Sequence, residues 1–159
     1  MGWDHQGVRD CDWVPGCYYL VRREVLDQVG LFDPRFFLYY EEVDHCRRVK
    51  TAGWQVVYFP DTTVVHVGGE SAKSVDKLNM DGRQLQTLQI ESELLYFRKH
   101  HGVVGLAWHM SLVFAGDLIL ALKALLKGRG RPAMAACWEH ARVTWALLRD
   151  TKFATQPTR

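Results

Sequence analysis

The residues best equipped for chemistry lie in one run, Tyr39-Tyr40-Glu41-Glu42-Val43-Asp44. Carboxylates spaced so closely can serve as general acid or base. They also have a plainer use. Acids in the first turn of a helix complement its dipole, as Arg47, Arg48 and Lys50 would near the other end, and Asp44 with Arg48 is a stabilising i, i+4 pair. A rotation of about 100° per residue separates the three acids. Tyr39, Val43, Cys46 and Val49 share an apolar arc, Glu41, Asp44 and Arg48 face away from it, and Glu42 borders it. Partial desolvation there would raise the pKa of Glu42 toward that of a useful general base, so Glu42 is the acid that surface electrostatics explains least. His45 and Cys46 beside it suggest a metal cluster, but their helical angles diverge and that reading is rejected.

Two further positions carry candidate chemistry. His66 ends an apolar run ahead of Gly68-Gly69, a place where a ligand or base often sits, although a plain surface or core histidine is the commoner use. Trp13-Val14-Pro15-Gly16 reads as a rigid aromatic turn in which Gly16 lets a ligand or another backbone approach. A buried tryptophan at a loop corner explains the same residues equally well.

These groups need elements to position them. Residues 11 to 67 alternate strand and helix signals: a strand at Cys17–Val21, a helix at Arg22–Val29 stopped by Gly30, a loop around Asp33-Pro34, a helix at Tyr40–Ala52 stopped by Gly53, and strands at Trp54–Phe59 and Thr63–Val67 around the Pro60-Asp61 turn. Residues 68 to 79 are polar and Gly-rich, which predicts a loop, and Met80–His101 reads as a long helix ended by Gly102.

The run Gly102–Leu122 is apolar apart from Asp117, with Lys123, Lys127, Arg129 and Arg131 following and no acid among them. It is long enough to span a bilayer, yet a charged Asp117 near its end would be costly there. An interfacial helix on an anionic surface is preferred to a core helix or a true span. Pro132 fits the first turn of a last helix, whose Met134, Trp138, Ala141, Trp145 and Leu148 make one apolar stripe. The expected division is therefore 1–70 as the region that carries the candidate chemistry, 71–101 as polar loop and long helix, 102–150 as apolar, membrane-associated helices, and 151–159 as a disordered tail.

Composition bounds the function. The 159 residues carry 20 basic and 18 acidic side chains, a net charge of +2, with 48% apolar residues. Whole-chain disorder is excluded, and nothing marks a general nucleic-acid binder. Cys11, Cys17, Cys46 and Cys137 form no CxxC pair, which argues for reduced thiols and against a zinc finger or disulfide scaffold. The N-terminus lacks the pattern of a secretory signal.

Taken in order, the motifs become specific. The string from Cys11 to Gly69 resembles the C-terminal half of the catalytic domain of bacterial family 2 glycosyltransferases, most of all the rhamnosyltransferase-like branch. The matches are Asp12, Trp13, Val14, Gly16, Arg22, Arg23, Gly30, Phe32, Asp33, Phe36, Phe37, Tyr39, Glu41, Asp44, Cys46, Arg48, Gly53, Trp54, Pro60, His66 and Gly69, and Tyr96-Phe97-Arg98-Lys99-His100 resembles the helix that follows. The resemblance implies an α/β chain: the C-terminal half of a GT-A fold, followed by C-terminal α-helices. It implies inverting transfer of a sugar, rhamnose in that branch, from a nucleotide-sugar to a lipid-linked or cell-surface glycan acceptor.

By the same resemblance the family's Glu-Asp pair supplies the general base at its second member, here Glu42, with Glu41 and Asp44 around it. Trp13, Gly16 and Arg48 become substrate-binding positions. His66 becomes a ligand to a divalent cation, Mg or Mn, shared with a nucleotide-binding half that has no counterpart in this sequence. The expected location is the cytoplasmic face of the bacterial inner membrane, held peripherally, with a separate N-terminal half as partner and no activity in isolation. The alternative is a non-catalytic remnant that binds membrane or a partner subunit.

Overall fold

A computed structural model describes residues 3–65, 82–128 and 130–159. They are mostly helical, with one two-stranded antiparallel sheet. The elements are β1 (Arg9–Asp10), α1 (Arg23–Val29), α2 (Glu41–Thr51), β2 (Val57–Tyr58), α3 (Gly82–Leu126) and α4 (Gly130–Asp150). They divide into two compact units, residues 1–85 and 86–159.

In the first unit β1 pairs with β2, Arg9 opposite Tyr58 and Asp10 opposite Val57, and the Cys11 N–H extends the ladder to the Val56 carbonyl at 2.8 Å. Helix α1 ends where expected, at Gly30, whose φ of 82° and ψ of −175° suit glycine alone. Helix α2 ends at Ala52 and Gly53, with Gly53 at φ 90°. The core joins Val25 of α1, Cys46 and Val49 of α2, and Val56, with Val14, Tyr19, Val21, Val29 and Trp54 packed around them.

Among the described residues one predicted strand is absent and another is irregular as far as it is described. Cys17–Val21 is irregular although its exposure alternates as a strand's would, with Tyr18 and Leu20 outward and Tyr19 inward. Among the described residues no neighbouring chain supplies a ladder, and an extended run without a hydrogen-bonded partner is not a strand. Residues 63–65 are likewise irregular. His66, the rest of that predicted strand and the predicted loop at 68–79 lie outside the described residues.

In the second unit Gly102, at φ 67° and ψ −164°, interrupts α3. The long helix thus stops where the sequence places its end and restarts into the apolar run. Leu88, Ile90, Leu94 and Leu95 before the break, Leu106, Met110 and Ala121 after it, and Leu147 and Leu148 of α4 are buried. Asp117 is paired with His140 of α4 at 2.6 Å, so the charge that disfavoured a membrane span has a partner within the helix pair. The apolar stripe on α4 is largely solvent-facing, with Trp138 and Trp145 exposed, while Thr144, Leu147 and Leu148 form its buried face.

The tail expected to be disordered is ordered instead. Thr151 is fully buried, and its hydroxyl hydrogen-bonds the Leu147 carbonyl at 2.6 Å. Glu91, 1% exposed, accepts hydrogen bonds from the Thr158 N–H at 3.0 Å and the Thr158 hydroxyl at 2.8 Å. A buried carboxylate recruits donors, and composition alone does not reveal that the last residues supply them.

Candidate active site

The first turn of α2 carries the carboxylates. Its entry is strained: Tyr39 and Tyr40 both lie at φ 67°, a left-handed conformation that costs a non-glycine residue roughly 1–2 kcal/mol. Tyr40 supplies the N-cap position without a side-chain cap. Tyr39 therefore stands outside the helix and 40% exposed, not on its apolar arc.

Helical angles alone misplace two of the three acids. Asp44, expected on the open side, is fully buried. Its pairing with Arg48 is present, Nε to Oδ2 at 2.8 Å, as an interior contact. Arg48 spends its other nitrogens on backbone, Nη1 donating to the Val29 carbonyl and Nη2 to the Leu31 carbonyl, each at 2.7 Å. The loop after α1 folds over this side of α2 and buries it. With these bonds made, the structure gives Arg48 a positioning task on the α1–α2 connection, in place of the open guanidinium that substrate binding would use.

Glu41 and Glu42 behave differently. Oε2 of each is buried and has no hydrogen-bond partner among the described residues. Burial pushes the Glu41 carboxyl above the usual carboxylate range; a hydrogen bond to its own backbone opposes this, and the charge of Glu42 adds to it. Glu41, placed on the exposed side by angle, is thus a desolvated acid as well. Buried carboxylate oxygens without donors are uncommon in native proteins, and a substrate hydroxyl is one group that could supply the donor.

One residue of the neighbourhood escaped the sequence reading except as part of a discarded metal cluster. His45 is 1% exposed. Its Nε2 lies 2.9 Å from the Gly30 carbonyl, which can only accept, so Nε2 carries the proton. Nδ1 then accepts from the Tyr19 hydroxyl at 2.8 Å, and the Tyr19 oxygen is 3.3 Å from Cys46 Sγ. His45 and Arg48 together hold three successive carbonyls, Val29, Gly30 and Leu31. The signal available in the sequence was the spacing of His45, Cys46 and Val49 as one buried stripe. Burial pushes the His45 pKa below its ordinary value, opposed by the hydrogen bond to Gly30.

The remaining candidates are scattered. Trp13 is half-exposed and Gly16 exposed, both on an irregular segment, and nothing lies within 4 Å of a Cβ built on Gly16. Space for a ligand is present there, without a preformed contact. Lys50 of α2 reaches back to this segment, its Nζ donating to Asp12 at 2.6 Å and to the Cys11 carbonyl at 3.1 Å. Among the described residues no group of three or more His, Cys, Asp or Glu is placed to hold a metal ion. The described residues do not by themselves fit a divalent-cation site.

Residues 7–84 match the family described as glycosyltransferase like family 2. The N-acetylglucosaminyl-diphospho-decaprenol L-rhamnosyltransferase of Mycobacterium tuberculosis is 47% identical over 58 residues, which are 36% of this chain and 19% of that protein. Rhamnosyltransferase WbbL of Escherichia coli is 33% identical over 63 residues, 40% of this chain and 24% of that protein. The chain thus spans about a fifth to a quarter of the length of the curated relatives it matches. No solved structure matches. The segment that carries the paired glutamates is thus similar to family 2 glycosyltransferases, rhamnosyltransferases among them.

Proposed function

We propose that this chain forms the acceptor side of an inverting, GT-A type sugar transferase that moves a sugar, rhamnose in the relatives, from a nucleotide-sugar to a lipid-linked glycan. The observation that carries it is the pair of buried, unmet carboxylate oxygens on Glu41 and Glu42, inside a family 2 segment. In such a reaction the acceptor hydroxyl attacks the anomeric carbon and loses its proton to a carboxylate while the nucleoside diphosphate departs on the opposite side. Glu42 takes the proton in this reading. Glu41 lies beside it as a desolvated neighbour, and Asp44 with Arg48 and His45 fixes the turn that presents both. Trp13 and Gly16 offer an open aromatic surface to the acceptor. In this reading a separate N-terminal half would supply the nucleotide-binding residues, and the divalent cation that the family resemblance implies would be shared between that half and His66.

The lipid-linked acceptor is supported by the second unit. Over Gln84–Leu126, α3 is long and apolar enough to cross a membrane, and past Gly102 Val104, Trp108, Leu120 and Leu126 are each more than half exposed. A helix in the core of a soluble protein would bury them. With Lys123 and Lys127 at its end, this surface suits the cytoplasmic face of an anionic membrane, bound peripherally.

The test joins residues 7–84 to a nucleotide-sugar-binding half and compares Glu41→Gln, Glu42→Gln and Asp44→Asn in turnover and melting temperature. Loss of general-base help costs about 100- to 10,000-fold, or about 3–5 kcal/mol of barrier. Glu42→Gln is expected to lose that much with folding intact, and Asp44→Asn to lose stability first. Near-normal turnover in Glu42→Gln would end its assignment, and an equal loss confined to Glu41→Gln would move the base there.

A further inference from the structure

The second unit holds a cavity of about 180 Å³, lined from both arms of α3 and from α4. Ile90, Leu94, Met110 and Val113 make its apolar walls, and the first three are buried. A dry cavity of about 150 Å³ is large enough for benzene, so this one accepts a ring-sized apolar body.

Its polar edge is one-sided. Glu93, His109, His140 and Thr144 line it, and no lysine or arginine does. His140 Nδ1 lies 2.6 Å from Asp117 Oδ2. An ionised carboxylate only accepts, so Nδ1 carries the proton, and Nε2 of the neutral ring is left as an acceptor. The Thr144 hydroxyl already donates to the His140 carbonyl at 2.9 Å, which leaves its lone pairs to offer. Glu93 Oε1 is 3.3 Å from His109 Nε2, longer than a good charge-assisted hydrogen bond. Burial holds the His109 pKa below its ordinary value, opposed by the charge of Glu93, so near neutral pH the ring does not cancel that charge. The cavity thus presents acceptors and negative charge above apolar walls, and its own donors are spent.

Tying helices together explains why each histidine stands beside an acid. It does not explain why both pairs meet a threonine at one apolar hollow with their acceptors left over. A ligand with hydrogens to donate, a positive charge and a small apolar body complements all three features. A neutral hydroxyl would leave the charge unused, and an anion would be repelled. A metal ion is not matched, since among the described residues no group of three or more His, Cys, Asp or Glu is placed to hold one.

We propose that this cavity binds a small primary amine, its ammonium held by Glu93, His140 and Thr144 and its ring-sized apolar body against Leu94, Met110 and Val113. The site is built wholly by the second unit and owes nothing to the transfer reading above.

Calorimetry on the full chain near neutral pH with benzylammonium, benzyl alcohol and phenylacetate, which share a ring and differ in charge, tests the site. Benzylammonium should bind one to one and about tenfold or more tighter than benzyl alcohol, with phenylacetate weaker than either. Glu93→Gln keeps an acceptor for His109 and removes the charge. It should weaken benzylammonium about tenfold and leave both benzyl alcohol binding and the melting temperature unchanged. Val113→Phe fills the hollow and should abolish binding of both; should that variant unfold, Val113→Met makes the same comparison with less added volume. No saturable binding of benzylammonium, or benzyl alcohol bound as tightly, would overturn the proposal. So would undiminished binding in the filled variant, which would move the ligand to the exposed apolar surface, and a Glu93→Gln chain that unfolds, which would mark the pair with His109 as structural.

Discussion

Replacing Tyr19 with Phe probes the buried chain that fixes the turn ahead of the glutamates. The substitution keeps the ring against Phe32 and His45 and deletes only the hydroxyl. His45 Nδ1, in a residue 1% exposed, then loses the hydroxyl that donates to it, and Cys46 Sγ loses its oxygen partner. An unmet buried acceptor costs about 1–3 kcal/mol. Tyr19 itself is only half-buried, so water reaching the gap places the loss at the lower end, about 1–2 kcal/mol. For a chain of this size each kcal/mol moves the melting temperature by about 2–4 °C, giving a drop of about 2–8 °C.

The same chain sets a pH dependence. Burial lowers the folded pKa of His45 from its ordinary 6.5. Between the folded and unfolded values the unfolded chain therefore binds the proton and the folded chain does not. The stability contributed by neutral His45 is complete above about pH 6.5 and is lost as pH falls through the folded pKa. Thermal unfolding of wild type, Tyr19→Phe and His45→Gln from pH 5 to 8 measures both effects, since Gln keeps an N–H for Gly30 without titrating. His45→Gln should show a flatter slope between pH 7 and 5 than wild type. Nitrogen shifts placing the His45 proton on Nδ1, or a melting temperature unchanged in Tyr19→Phe, would refute the chain as drawn.

Gly30→Ala should cost about 1–3 kcal/mol from conformation alone, because φ 82° with ψ −175° is closed to alanine while nothing crowds its Cβ within 4 Å; an unchanged melting temperature would contradict that backbone. Leu126→Ser combined with Trp138→Ser, at side chains 89% and 74% exposed, should lower partition onto anionic vesicles by about tenfold or more with little change in stability. Equal flotation would remove the membrane surface.

Local signals were legible where one residue decides the outcome. Gly30, Gly53 and Gly102 end helical segments at positive φ, and the sequence marks all three. Asp44 was misread because a helical wheel assumes solvent on the polar side. Here a loop held by Arg48 and His45 covers that side, and the donors reach carbonyls 15 to 19 positions back in the chain. No periodicity within α2 encodes contacts at that separation. The strand at Cys17–Val21 failed for the complementary reason: its alternation is present, but strand identity belongs to a pair, and no neighbour pairs with it among the described residues. The glutamates lie between these cases. Their type and order carry a family resemblance in the sequence alone, whereas which oxygen is buried, and that Glu41 shares the desolvation expected of Glu42, depends on how the strained Tyr39-Tyr40 entry seats the first turn. Chemistry was thus readable as residue identity and order, and its electrostatics only once long-range hydrogen bonds had set the helix in place.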